Sequence, residues 1–328
     1  MKHVASISLG SSRRNKSVQM TFAGVPFCVE RIGTDGDVRR AEELIAEYDG
    51  KADAIGLGGV DRYLIAGERR YELRDAARMA RRASKTPVVD GGGIKVLLEP
   101  ILIRRLVADG ALEVAGKRVL LMSAVDRPGM AKVFPELGAQ VVYGDLLYAL
   151  GIPIPLRSLR QVAVVGAMFL PVLCRLPMSV LYPTGKQQES TRQRYPKFFR
   201  EADIVAGDFQ FVRRYMPDDM TGKVIVTNTT RANDVAELRK RGVARLITVT
   251  PSIGGESFGT NVMEGVLVAL SGKQPSELTE QDYLRLAEEV NWKPGITDLA
   301  GGAGNGGGPT QARGDARGMQ EAKQEWRQ

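Results

Sequence analysis

Short apolar runs alternate with amphipathic stretches along most of the chain. In residues 38–50, apolar side chains recur at helical spacing and the stretch ends at a glycine, a pattern typical of a surface helix. The runs around it have the length and the β-branched content of strands. Strands that alternate with helices in this way predict an α/β fold with largely parallel sheets. The strand-like runs of this first unit are residues 3–10, 25–33, 52–59 and 86–93.

A second alternating unit follows and predicts a second domain. Residues 116–260 are expected to form a Rossmann-like parallel-sheet domain that binds a dinucleotide, with an insert at residues 151–200. Residues 1–115, completed by helices within residues 261–292, are expected to form an α/β substrate domain. The sequence therefore predicts two α/β domains in one chain.

Two stretches break the alternation. Residues 161–182 carry a single charge, Arg175, and are long enough to span a membrane. Pro171, Pro177 and the central arginine oppose a spanning helix, so a pair of short, partly buried helices is expected. Docking on a partner or on a membrane surface is the alternative for this segment. The glycine-rich end, residues 298–328, cannot bury enough apolar surface to offset chain entropy and is predicted to be a disordered tail.

Composition excludes several kinds of chemistry. The 328 residues include one histidine, His3, and two cysteines, Cys28 and Cys174. A Ser-His-Asp triad, a Cys-His pair and a histidine-based metal site are therefore not expected. Few cysteines and the lack of a long apolar run at the start indicate a cytoplasmic protein.

The net charge of +8 is unevenly distributed. Residues 69–85 hold seven basic and two acidic side chains, and many of the basic ones recur at helical spacing. A nucleic-acid surface is one interpretation, and a solvated helix face is the favoured one, because no aromatic residues are interleaved. No nucleic-acid partner is expected.

One strand–turn–helix–strand unit has the spacing of a dinucleotide site. The turn at Ser123 lies 22 residues before Asp145, close to the roughly 20 residues between a phosphate-binding turn and a ribose-binding acid. Asp145 would favour NAD, with NADP as the alternative. The glycines of the usual fingerprint are absent, so a unit that binds nothing there is the other interpretation. The residues predicted to contact the cofactor are Ser123, Ala124, Asp126, Arg127, Gly129 and Asp145.

A second candidate site is the segment VVDGGGIK. Asp90 ends a strand, where open α/β sheets place ligands, and three glycines follow it. Asp90 could act as a general base or cap the next helix. Lys95 could polarise a carbonyl or shuttle a proton.

The order of VVDGGG, GKRVLLMSAV and ELGAQVV resembles the shikimate/quinate dehydrogenase family, in which N-T-D-G-x-G precedes the Rossmann domain. GKVIVTNTTRANDVAELRKRG and FGTNVMEGVLVALSGK are similar to later segments of that family. The resemblance implies that Asp90 holds the substrate hydroxyl from which a hydride leaves to NAD(P). The other residues it assigns are Thr227, Asn228 and Thr229 beside the nicotinamide, Asn261 or Glu264 at the substrate, and Ser11 and Ser12 at its carboxylate.

The family's catalytic-lysine motif is not found. KADAIGLGGVDRYL stands in its place, where Gly58, Gly59 and Asp61 are expected to line the site. Lys95 and Lys186 are the candidates for the missing proton carrier.

Taken together, these patterns predict an oxidoreductase that transfers a hydride between NAD(P) and a small anionic, quinate- or shikimate-like substrate. The alternative is a non-catalytic Rossmann-like nucleotide or metabolite sensor or scaffold. No membrane span and no metal are expected, and the sequence is compatible with a homo-oligomer.

Overall fold

The computed structural model describes residues 1–181, 192–253 and 256–300. Short π-helical turns at Ile94–Leu98 and Asp145–Leu150 accompany the regular elements. The strands are β1 (Lys2–Ser8), β2 (Lys16–Phe22), β3 (Val25–Gly33), β4 (Ala54–Gly58), β5 (Tyr63–Ala66), β6 (Arg69–Glu72), β7 (Val88–Val89), β8 (Arg118–Leu121), β9 (Gln140–Tyr143), β10 (Ile204–Ala206), β11 (Val224–Thr227), β12 (Arg245–Thr248), β13 (Ser252–Ile253), β14 (Glu256–Ser257) and β15 (Gly295–Asp298). The helices are α1 (Val38–Tyr48), α2 (Arg74–Ala80), α3 (Glu99–Ala108), α4 (Pro128–Glu136), α5 (Leu159–Leu173), α6 (Met178–Leu181), α7 (Pro196–Glu201), α8 (Phe209–Tyr215), α9 (Ala232–Lys240), α10 (Thr260–Ser271) and α11 (Glu280–Glu289).

The first sheet has the strand order β2-β3-β1-β4-β7, and only its edge strand β2 is antiparallel to its neighbour. Side chains alternate between its faces because successive residues of a strand point to opposite sides. Ile7 packs into the cluster that includes Ile45 of α1 and Met79 of α2. Val4 faces the opposite cluster, which includes Val266 of α10. Helix α10, from late in the chain, therefore covers the first sheet.

The second sheet has the order β15-β12-β11-β10-β8-β9, with β15 antiparallel and the others parallel. Phe134 of α4 packs with Val119 of β8 on one face. Phe199 of α7 and Leu238 of α9 belong to the cluster on the other. The predicted α/β fold with parallel-sheet domains is confirmed.

The apolar segment forms two helices, α5 and the short α6, as predicted. None of the helices in the described part of the chain combines the length and apolar character that crossing a membrane requires. Most of the predicted tail lies outside the described residues. Of its described residues 298–300, Asp298 ends β15 and the side chain of Leu299 is buried.

The arginine-rich stretch is split into strand β6 and helix α2. Arg78 and Arg82 donate hydrogen bonds to the buried carboxylate of Glu42 on α1, the two from Arg82 at 2.6 and 2.9 Å. Two of the basic side chains thus hold α1 against α2.

Candidate functional site

The carboxyl ends of the two parallel sheets face each other across a buried ion network. Lys95, on the π-helical turn after β7, donates to the carboxylates of Asp61 and Asp126, the latter at 2.5 Å. Asp61 follows β4 of the first sheet, whereas Asp126 follows β8 of the second. Lys95 therefore joins the two sheets through one carboxylate from each.

Arg127 makes a second connection beside the first. Its side chain is 1% exposed and donates to Glu99, which is fully buried on α3. It also lies 3.3 Å from the carboxylate of Asp208, after β10, and 3.4 Å from that of Asp126. Arg127 thus occupies the point between β8 and β10 where the strand order of the second sheet reverses, which is where open sheets usually bind ligands.

The network holds more carboxylates than cations, and this imbalance shifts their pKa values. Burial, together with the charge of Asp126, raises the pKa of Asp61 to about 7 despite the attraction of Lys95. Burial would also raise the pKa of Asp126, but the positive charges of Lys95 and Arg127 outweigh it and lower that pKa to about 2. Burial raises the pKa of Glu99 as well. The arrangement thus favours a proton on Asp61 up to neutral pH.

A second buried carboxylate holds the glycine turn after β7. Glu264 of α10 accepts hydrogen bonds from the backbone N–H groups of Gly91 at 2.6 Å and Gly93 at 2.8 Å. The hydroxyl of Tyr283 donates to it at 2.7 Å. Burial and the nearby charge of Asp90 raise the pKa of Glu264 to about 7, although these three donors act in the opposite direction.

These raised pKa values predict a pH dependence of folding. A carboxyl whose pKa is higher in the folded protein binds its proton more tightly there, so stability is lost as the pH rises toward the folded value. Between pH 5 and pH 7 we expect the free energy of unfolding to fall by up to about 1.4 kcal/mol per pH unit for each of Asp61 and Glu264. Urea denaturation at a series of pH values measures this slope.

The matched variants for this measurement are Asp61→Asn and Glu136→Gln. The first removes a titrating buried carboxyl and should flatten the slope. Glu136 pairs with Arg104 at the surface, so its replacement should leave the slope unchanged. A wild-type stability that rises from pH 5 to pH 7 would contradict the assignment.

The predicted dinucleotide turn is filled by the chain's own carboxylate. Asp145 was expected to face a ribose, but it accepts hydrogen bonds from the backbone N–H groups of Ala124 at 3.0 Å and Val125 at 3.1 Å. The hydroxyl of Ser123 also donates to it, at 3.1 Å. These donors would otherwise be available to a phosphate. Gly129 allows α4 to lie directly against the backbone carbonyl of Lys95.

The carboxylate of Asp90 accepts hydrogen bonds from backbone N–H groups and is not free to act as a base. It accepts from the N–H of Arg62 at 2.5 Å and from that of Gly92 at 2.9 Å. This geometry is closer to the alternative predicted for it, a carboxylate that supports the start of the next helical segment.

The predicted nicotinamide contacts lie at the end of β11 and are tied to neighbouring backbone and side chains. Thr227 donates to the carbonyl of Gly207 at 2.7 Å, and Asn228 donates to Asp208 at 2.9 Å. Thr229 donates to the carbonyl of Phe258 at 3.1 Å.

The predicted substrate residues divide into two groups. Gly58 and Gly59 lie beside Ser8 at the carboxyl edge of the first sheet, near Ser11. The other members have different partners. Ser12 donates its backbone N–H to Asp35, and Asn261 donates its side-chain amide to Ser6. Asp61 and Glu264 belong to the buried clusters described above. Lys186 lies outside the described residues.

Sequence reasoning missed a cluster of arginines at this edge. Arg31, at the end of β3, donates to the carbonyl of Ser11 at 3.1 Å and the hydroxyl of Ser8 at 3.0 Å. Burial and the positive charges of Arg14 and Arg231 lower its pKa to about 10. Arg231 comes from the second sheet's side, just before α9. No sequence motif joins the three positions, so only the fold brings them together.

Among the described residues, no group of three or more His, Cys, Asp and Glu side chains is arranged to hold a metal ion.

Two family models match consecutive parts of the chain. Residues 3–90 match the domain of unknown function DUF8753, and residues 93–299 match the domain of unknown function DUF8754. No curated protein matches the chain.

Several solved structures show a distant similarity that extends over most of the chain. A galactofuranose-binding protein is 11% identical with a TM-score of 0.33, and the match covers 89% of this chain and 99% of that one. An ABC transporter solute-binding protein from Burkholderia multivorans is 13% identical with a TM-score of 0.37, covering 90% and 99%. A protein from Actinobacillus succinogenes with bound D-allose is 12% identical with a TM-score of 0.32, covering 91% and 98%.

The prediction of a shikimate/quinate dehydrogenase is wrong. Neither of the two family models that match the chain is a dehydrogenase model. The prediction of a hydride-transferring enzyme is wrong for the same reason. The physical error was to treat the turn at Ser123 and the carboxyl of Asp90 as open groups, when both are occupied by the chain's own donors and acceptors. The cytoplasmic location stays a prediction.

The family model that covers residues 93–299 spans more than half of the chain, including the whole second sheet. The chain belongs to the family described as domain of unknown function DUF8754.

Proposed function

We propose that this protein is a non-catalytic binding protein for a small anionic metabolite, held where the carboxyl ends of the two sheets meet. The observation that carries the proposal is the half-buried guanidinium of Arg31 on the first sheet, which among the described residues donates hydrogen bonds only to Ser8 and Ser11 oxygens and is repelled by the charge of Arg231 from the second sheet's side. Cations brought together from separate elements repel one another unless an anion lies between them. A phosphate or carboxylate would relieve that repulsion and accept several N–H donors at once.

The contacts that Arg31 and Arg231 make, compared with those of other arginines, support the same conclusion. The half-buried Arg62, Arg213 and Arg241 each have a carboxylate partner, as the buried Arg127 has. Among the described residues, no carboxylate lies at ion-pair distance from the guanidinium groups of Arg31 or Arg231. Asp35 acts on Arg31 only through its more distant charge. Arg31 is therefore a half-buried cation whose close contacts are neutral oxygens.

The surroundings suit a polar ligand. Ser8 and Ser11 place oxygens beside Arg31, and Gly10 and Gly59 leave room for close approach. Lys16, opposite Arg31 on the neighbouring strand, has its ammonium 4.7 Å from the ring centroid of Phe258, a cation–π contact. The side chain of Arg127 fills the point where the strand order of the second sheet reverses. The edge near Arg31 and Arg231 is therefore the better place for a ligand to bind.

Inorganic phosphate is the probe for a first test, and Arg231→Gln is the variant. We expect phosphate to raise the unfolding temperature of the wild-type protein and to bind Arg231→Gln about tenfold more weakly, equivalent to about 1.4 kcal/mol. Without phosphate, the variant should be as stable as the wild type or more so, because one of the repelling charges is gone. Calorimetric titration and thermal unfolding measure the two effects.

Arg104→Gln is the matched control, because it removes a paired arginine from the surface. Equal phosphate responses of the two variants, or no response of the wild-type protein to millimolar phosphate, would contradict the proposal. NAD as a cofactor stays a prediction, and the same titration with NAD in place of phosphate tests it.

A further inference from the structure

Helix α5 is apolar on both its buried and its exposed faces. Val162, Gly166 and Leu170 face inward, where Gly166 lies against Ala66 of β5. On the opposite side Val164, Met168 and Val172 are 55%, 66% and 64% exposed. A helix that is apolar all round is normally covered on all sides, so the outer face is expected to have an occupant.

The exposed side chains form a continuous patch. Val164, Met168 and Val172 follow one another at four-residue intervals, so they lie along one side of the helix. The exposed Ala167 and Pro171 lie between them on the same side. We call these five residues the α5 patch.

The segment that carries the α5 patch has charge of one sign. Residues 151–181 contain no aspartate or glutamate, and their three charged side chains are Arg157, Arg160 and Arg175. All three are exposed, and they stand at the two ends of the patch. The β5–β6 hairpin packed against α5 adds the exposed Arg69 and Arg70 together with two exposed glutamates, Glu68 and Glu72, the second of which pairs with Arg62.

We propose that the α5 patch docks on an anionic lipid bilayer. An apolar helix face flanked by arginines is the pattern of an element that lies in the membrane interface, with its apolar side chains among the acyl chains and its cations at the headgroups. The long arginine side chains can reach the headgroups while the patch is inserted. A helix of this length lies on the membrane and does not cross it.

A second copy of the chain fits the α5 patch less well. Pairing two α5 helices antiparallel about a two-fold axis, centred between Ala167 and Met168, places Arg160 of each copy opposite Arg175 of the other. These like charges would repel, and residues 151–181 supply no acidic side chain to separate them. Anionic lipid headgroups provide the missing negative charge.

Cosedimentation of the full chain with vesicles tests the proposal. We expect the protein to sediment with vesicles of phosphatidylcholine that contain phosphatidylglycerol, and not with phosphatidylcholine alone. Binding should weaken as salt is added, because the headgroup attraction is screened. Met168→Gln is expected to lower the bound fraction several-fold, and Arg160→Gln should reduce the salt dependence.

Ile296→Gln is the matched control, since Ile296 is a 46% exposed apolar residue on β15, away from α5. Its vesicle binding should equal that of the wild type. The proposal is overturned if the wild-type protein binds neither vesicle, or if Met168→Gln binds as well as Ile296→Gln. It is also overturned if light scattering shows a dimer that Met168→Gln dissociates, because a second copy would then cover the patch.

Discussion

Replacing Arg127 with methionine is expected to lower the free energy of unfolding by about 3–5 kcal/mol. The guanidinium is 1% exposed and its partner Glu99 is fully buried. Methionine fills a similar volume but leaves Glu99 as a buried carboxylate without its cation, and Asp126 and Asp208 each lose a partner. The cost is that of uncompensated buried charge, and urea denaturation at neutral pH measures it.

Two further variants separate the charge effect from a loss of packing. Arg104→Met breaks the exposed ion pair with Glu136 and should cost at most about 1 kcal/mol. The double variant Arg127→Met, Glu99→Leu removes both members of the buried pair and should recover part of the loss. If the double variant is less stable than Arg127→Met alone, the explanation by unpaired charge is wrong.

Gly93→Ala is expected to cost about 3 kcal/mol, a large effect for the addition of one methyl group. The backbone at Gly93 has φ −62° and ψ −41°, which alanine adopts freely, so the cost is steric. A Cβ at this position would overlap the hydroxyl of Tyr283 and the carboxylate of Glu264. The glycine turn after β7 would have to move away from α10, weakening the hydrogen bonds to Glu264.

A double-mutant cycle with Tyr283→Ala tests this account. Removing the ring opens space for the new methyl group, so Gly93→Ala should cost less in the Tyr283→Ala background than in the wild type. Equal costs in both backgrounds would show that the clash with Tyr283 is not the cause. Thermal and urea unfolding of the four proteins give the four free energies.

The arrangement of strands was predictable where local signals agree. The run at residues 25–33 coincides with β3, and the helical spacing after residue 37 coincides with α1, which begins beside the capping carboxylate of Asp37. Strand β2 was missed, because the hairpin that joins it to β3 turns at Ala23 and Gly24. Both have positive φ, as a tight hairpin requires, but Ala-Gly is not the usual signal for such a turn.

The candidate site was less predictable, since its members are brought together over long distances in the sequence. Asp90, Lys95 and Glu264 were singled out from the sequence, but their predicted roles depended on open space around them. Whether a carboxylate faces a ligand or a backbone N–H depends on which loop packs beside it, and that contact is not written in the local pattern.

The sequence by itself determined the α/β class and most strand and helix positions, because these follow from local periodicity. Only the tertiary structure decided the site. It placed Asp145 in the turn where a phosphate was expected. It also placed the buried side chain of Arg127 at the point where the strand order of the second sheet reverses. It also brought Arg31 and Arg231, 200 positions apart, to one edge. Charge repulsion and burial depend on distance in space, so the apolar and polar pattern could not reveal them.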